Sequence, residues 1–221
     1  MSDAERRFTS VPVEIRAAAQ DKLTIGGYAA KFDRRSQNLG GFVEEIRTGF
    51  FNKSRGDGWP SVLARHNHDD NMLLGTTGAG TLRLRVDEIG LDYSVDMPQT
   101  RMDVYELVQR QDVRQSSFAF IPFEDDWSTT DQGFPLRSLI SGRLIDVASV
   151  NTPAYEDTST ALRSLANKFS ADIEEVRSMA QANDLIKFFK RSDNAVDRAV
   201  KRRSAQAALA AILALDPDAT I

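Results

Sequence analysis

Both histidines of the chain, His66 and His68, lie in one stretch, Arg65-His66-Asn67-His68-Asp69-Asp70. Three kinds of chemistry are open to such a cluster. On a strand, residues two apart point to one face, and histidine pairs at that spacing bind zinc. Here position 71 is Asn, and the chain holds no further His and no Cys, so carboxylates alone would have to complete the ligand set. The second possibility is general-base catalysis, because histidine has the side-chain pKa nearest neutrality and can take up and return a proton. A base needs a nucleophile, and in a chain without cysteine that means serine or threonine. The third possibility is a polar turn with no chemistry.

Ser116 and Ser117 in "RQSSFAF" are the most suggestive hydroxyls. Strand alternation puts Ser117 on one face with Ala119. A serine there reads either as a satisfied core hydroxyl or as a nucleophile. Asp146, inside the apolar run "GRLIDVASV", is the third notable group, since an unpaired carboxylate is costly to bury. It reads either as the partner of an arginine such as Arg143 or Arg114, or as the acid that orients a catalytic histidine. Asp69 and Asp70 read as solvated turn residues.

These residues must be positioned by a β-rich half, up to about Tyr155. In "TLRLRVDEIGLDYSVDM", Leu82, Leu84 and Val86 alternate with polar residues, a turn follows at 87–90, and Leu91, Tyr93 and Val95 alternate again. That pattern predicts a β-hairpin. "LTIGGYAAKF", "SSFAFIPFEDDW" and "GRLIDVASVNTPAY" predict further strands. Thr100, with Asp103 three residues on, predicts a capped helix over 100–111 carrying Val104, Leu107 and Val108. After a polar linker, "EDTSTALRS", two helices are predicted from N-caps at Ser170 and Ser192, the second stopped at Asp216-Pro217. Their stripes, Ile173, Val176, Met179 and Ala180 in the first, read as core packing or as a detachable arm. The expected division is residues 1–160 as the main domain and 161–221 as a helical tail.

Composition narrows the function. A 221-residue chain that is 41% hydrophobic supports a real core, and a net charge of −4 argues against a dedicated nucleic-acid binder. The absence of cysteine fits a reducing compartment. The charged start lacks the apolar core of a signal peptide, and no apolar run reaches the roughly 20 residues needed to span a bilayer. A soluble, cytoplasmic protein without cofactor or bound metal is expected.

Taken in order, "GGYAAKFD", "LGGFVEEIRTGFF", "VLARHNHDDNMLLGTTGAGTLRLRVDEIGLDYSVDMP", "LVQRQDVRQSSFAF" and "RLIDVASVNTPAY" resemble the prohead maturation serine proteases of tailed bacteriophages, the Hong Kong 97-like type. These are similar in fold to the herpesvirus assemblins. The resemblance covers Val13 to Tyr155. It implies a closed, assemblin-like β-barrel with flanking helices. It implies His68, in the Asn-His-Asp motif, as general base, Ser117 as nucleophile and Asp146 as orienting acid, with His66 demoted. Ser116 stands where the family usually has Met, Ala119 where it has Gly, and Asp146 where Glu is more usual. A backbone oxyanion site, aided by an arginine such as Arg114, would complete the chemistry. Implied substrates are scaffold protein or the scaffolding segment of the major capsid protein, and the protease itself, inside proheads assembling in the host cytoplasm. A homodimer or higher assembly is also implied, and the tail becomes a removable targeting or scaffold-binding arm. Two other classes stay open: a non-catalytic capsid assembly protein on the same fold, and a metal-dependent hydrolase built on His66 and His68.

Overall fold

The computed structural model describes residues 4–16, 22–151 and 159–187. In chain order these form β1 (Glu5–Pro12), β2 (Glu14–Ile15), β3 (Leu23–Lys31), β4 (Val43–Ile46), α1 (Asn52–Gly56), β5 (Leu63–His66), β6 (Leu73–Thr76), β7 (Leu82–Val86) and β8 (Gly90–Met97). A 3-10 turn (Gln99–Arg101) then runs into α2 (Met102–Gln109), followed by β9 (Gln115–Thr129), β10 (Pro135–Val150), α3 (Ser159–Phe169) and α4 (Ile173–Gln181).

The alternation at 82–97 forms the expected hairpin, with Leu82 opposite Val95, Leu84 opposite Tyr93 and Val86 opposite Leu91. Asp87 closes its turn by accepting the backbone N–H groups of Ile89 at 2.9 Å and Gly90 at 3.2 Å. The two apolar runs around Ser117 and Asp146 become a longer antiparallel hairpin, β9–β10. That hairpin is the spine of a six-stranded sheet in the order β1-β9-β10-β5-β6, with β4 also paired to β10. A four-stranded sheet, β2-β3-β8-β7, faces it. Between them lies one apolar core, in which Ile25, Tyr93 and Val95 meet Phe118, Phe120, Leu144 and Val147. Phe50 sits edge-on to Phe51 and Phe120, and Phe51 edge-on to Phe118, an arrangement the ring quadrupoles favour.

No closed barrel is formed by the ladders of the described residues; the architecture is two open sheets with a few helices. The chain leaves the larger sheet at Pro12, which has no N–H to donate, and the β1–β9 register breaks between Thr9 and Pro12. Val13 instead donates to Arg114 O, and the backbone passes into β2 of the other sheet. At the far side, the turn between β6 and β7 is held by Thr81 Oγ1, which accepts the Thr76 N–H at 2.9 Å.

The helices differ from expectation at their ends. Thr100 lies inside the 3-10 turn and does not cap; α2 begins at Met102 without a side-chain cap. Asp172, not Ser170, caps α4, its Oδ1 accepting the N–H groups of Glu174 at 2.9 Å and Glu175 at 3.1 Å. The stretch read as a polar linker contains the start of α3, whose Ala161, Leu162, Leu165 and Ala166 are buried. The reason is packing: α3 and α4 cover Leu39, Phe42 and Trp127 in a second apolar cluster. The helix predicted from Ser192, with Asp216-Pro217, lies outside the described residues. Among the described residues, no helix is long and apolar enough to cross a membrane.

Candidate active site

The histidine stretch begins on β5 and ends off it. His66 is the last residue of the strand. Asn67 and His68 then take left-handed backbone angles, φ of 54° and 55°, a region non-glycine residues seldom enter and in which Asn and His are enriched. Asn67 ties this turn to the end of β10. Its N–H donates to Ser149 O at 2.9 Å, and its Oδ1 accepts the Asn151 N–H at 3.1 Å. His66 and His68 therefore do not share a strand face, because the turn carries His68 out of the strand and over the β9–β10 hairpin.

There His68 meets two residues distant in sequence. Its Nε2 lies 2.7 Å from Ser117 Oγ, 49 residues away, and its Nδ1 lies 2.6 Å from Asp146 Oδ1, 78 residues away. Ser117 and Asp146 reach the same face through a register irregularity. Leu144 pairs with Phe120, but Asp146 pairs with Ala119, so β10 spends two residues where β9 spends one. A bulge of this kind re-aims a side chain. Without it, Asp146 would follow Leu144 into the core; with it, Asp146 joins the Ser117 side of the sheet. Ser117 is 0% exposed, Asp146 1% and His68 6%.

A family model for the caudovirus prohead serine proteases matches residues 10–171. The chain belongs to that family. It is a serine peptidase of bacteriophage capsid maturation, a class of enzyme that works within assembling proheads in the infected host. No curated protein and no solved structure gives a match.

Within the protease, the remaining groups sort by what they touch. Asp146 uses both oxygens: Oδ2 is 2.8 Å from Arg65, whose other terminal nitrogen is 2.8 Å from Asp70. The arginine partner is thus Arg65, not Arg143 or Arg114, which are both exposed. Arg114 lines a cleft with Val13 and Tyr105. Asp69 is an exposed turn residue whose Oδ1 accepts the Asn71 N–H at 2.8 Å. Ser116 turns toward the core, 3.1 Å from the Tyr93 hydroxyl, and burial pushes that phenol up to about 12. The His66 ring is engaged elsewhere, Nδ1 at 3.1 Å from Ser149 Oγ and Nε2 accepting from Asn67 Nδ2 at 3.1 Å. Burial lowers its pKa below the ordinary histidine value, which keeps it neutral. Among the described residues, no three or more His, Asp or Glu side chains group as ligands for a metal ion.

Two participants were not read from the sequence. Arg65 sits opposite Ala148 in the parallel β5–β10 ladder, two register positions from Asp146. That long-range pairing leaves no local signal. The other is Arg7, whose backbone carbonyl accepts a hydrogen bond from Ser117 Oγ at 2.8 Å.

Proposed function

We propose that this prohead protease cleaves peptide bonds by acyl transfer, with Ser117 as nucleophile, His68 as general base and Asp146 as the acid that orients the base. The observation that carries the reading is the unbroken line from Ser117 Oγ through the His68 ring to Asp146, with both links under 3 Å. In the resting tautomer, Nδ1–H donates to Asp146 and the lone pair of Nε2 faces the hydroxyl. Ser117 Oγ attacks the peptide carbonyl while Nε2 takes its proton, and Nε2 then returns that proton to the leaving amine. Water, activated by the same nitrogen, releases the acyl group. Asp146 stabilises the imidazolium formed in between. The Arg65 bond fixes its second oxygen so that the carboxylate cannot rotate away. Backbone N–H groups are assigned the developing oxyanion.

The substrates proposed are the assembling capsid's components: a scaffold protein or the scaffolding segment of the major capsid protein, and the protease itself, working as a homo-oligomer. The C-terminal segment is proposed as a targeting or scaffold-binding arm. Because α3 and α4 share an apolar cluster with Leu39, Phe42 and Trp127, the part removed by self-cleavage is proposed to lie beyond α4. Intact full-length chain in mature particles would contradict that removal.

Co-expression with the capsid protein tests the assignment. Ser117→Ala and His68→Ala should each stop capsid-protein processing and self-cleavage while the proteins stay folded, and His66→Ala should do much less. Continued processing by folded Ser117→Ala would remove the nucleophile.

A further inference from the structure

Ser117 lies on a strand that is paired on both sides. Across β9, Ala148 of β10 is its partner on one flank and Phe8 of β1 on the other. An extended peptide that adds to a sheet needs a free strand edge beside the nucleophile. The β10 flank cannot be vacated, since β10 also carries Asp146 and pairs with β4 and β5. Only the β1 flank can.

β1 already does there what a substrate strand would do. It runs antiparallel to β9 and lays a backbone carbonyl, that of Arg7, 2.8 Å from Ser117 Oγ. The geometry is unproductive. The carbonyl accepts a hydrogen bond, so its oxygen faces the hydroxyl, whereas attack requires the carbonyl carbon at about 3–3.5 Å. The hydroxyl also has one proton and two acceptors, His68 Nε2 and Arg7 O. While the proton points to Arg7, the base has nothing to remove.

The way β1 is held suits a strand that leaves. Its first core-facing positions are Glu5 and Arg7, where a permanent strand would carry apolar residues. Arg7 pairs with Glu5 at 2.6 Å and Glu44 at 2.7 Å, and Arg137 reaches Glu5 at 2.8 Å and Glu44 at 2.9 Å, all four buried. A buried ion cluster fixes register, but its Coulombic gain is largely offset by desolvation, so it contributes little net stability beside apolar packing.

We infer that β1 occupies the substrate edge of β9 as an intramolecular stand-in for the extended peptide, latched by the Glu5–Arg7–Glu44–Arg137 ions, and that the protease works only when β1 is displaced. This rests on the peptidase reading of Ser117.

The test is the rate at which a serine-reactive fluorophosphonate probe labels the full-length protein. The chain has no cysteine, so a double variant, Arg6→Cys with Ala119→Cys, introduces one possible disulfide. These residues are Cα partners across β1 and β9. Antiparallel partners sit about 4.5–5.5 Å apart, within disulfide reach. Labelling of the oxidised form should fall at least tenfold below that of the same protein reduced. Glu5→Gln, which weakens the latch from the β1 side and touches none of Ser117, His68 or Asp146, should raise labelling severalfold. Equal rates in oxidised and reduced double variant, or an unchanged rate in folded Glu5→Gln, would overturn the inference. Absence of Ser117 labelling in every form, Glu5→Gln included, would instead overturn the peptidase reading.

Discussion

At single residues, the proposed chemistry depends on which group holds each proton. Asp146 accepts from His68 Nδ1 at 2.6 Å and from Arg65 at 2.8 Å. Asp146→Asn keeps the size and removes the charge, and its amide can present an N–H where the carboxylate accepted one. The wrong histidine tautomer is then favoured, and kcat should fall by about 10³–10⁴ with little change in KM, measured on a capsid-derived peptide. His66→Ala should leave kcat within about tenfold of wild type in the same assay, since that ring faces Ser149 and Asn67 rather than Ser117. Residue type and motif order made His68, Ser117 and Asp146 legible in the sequence. Of the two serines, Ser116 meets the Tyr93 hydroxyl and Ser117 meets the His68 ring, and the proposal of Ser117 as nucleophile rests on that contact. Arg65 and the Arg7 carbonyl were not legible. One depends on a parallel pairing, and the other is backbone, which carries no residue identity.

Elements translate the pattern into position, and here irregularities matter more than regular alternation. Period two read the β7–β8 hairpin correctly, but strict alternation along β10 would have sent Asp146 into the core with Leu144. The bulge before Asp146 and the left-handed pair Asn67–His68 are what bring the site together, and neither has a local composition signal beyond an Asn. A second irregularity on β10 lies at Gly142, where an added Cβ would sit 2.3 Å from Phe50 Cζ. Phe50 is fully buried between Phe51 and Phe120 and cannot yield cheaply. Gly142→Ala should therefore lower stability by about 1–3 kcal/mol in denaturant unfolding. Arg137, 0% exposed among Glu5, Glu44 and Asp125, anchors β10 to β1 and β4. Its replacement by Ala strands buried carboxylates and should cost about 3–5 kcal/mol in the same measurement.

For the whole molecule, two sheets and a helical cover share the load. The sheets enclose one core, and α3 with α4 closes a second over Trp127. Leu165 is fully buried there, and Leu165→Ala should cost about 2–5 kcal/mol. The sequence concealed this helix because its polar start resembled a linker, and only tertiary packing on Leu39, Phe42 and Trp127 gives its apolar stripe a surface to cover. The four-stranded sheet carries a charge term as well. Hydrogen bonds, foremost from Arg83 and then from Thr24 and Lys22, hold the Asp96 carboxyl well below its ordinary value of 3.8. Its folded pKa is depressed, so the stabilisation is present above 3.8 and is lost as pH falls toward the folded value. The Tm deficit of Asp96→Asn should thus be full at neutral pH and shrink in acid.

The proposed chemistry stands or falls on Ser117 as the nucleophile activated by His68. Peptide mapping of the protein after reaction with a fluorophosphonate, by mass spectrometry, addresses it most directly. One covalent adduct is expected, on Ser117, formed by wild type and by Ser116→Ala and absent from His68→Ala. An adduct on Ser116, or undiminished Ser117 modification in His68→Ala, would contradict it.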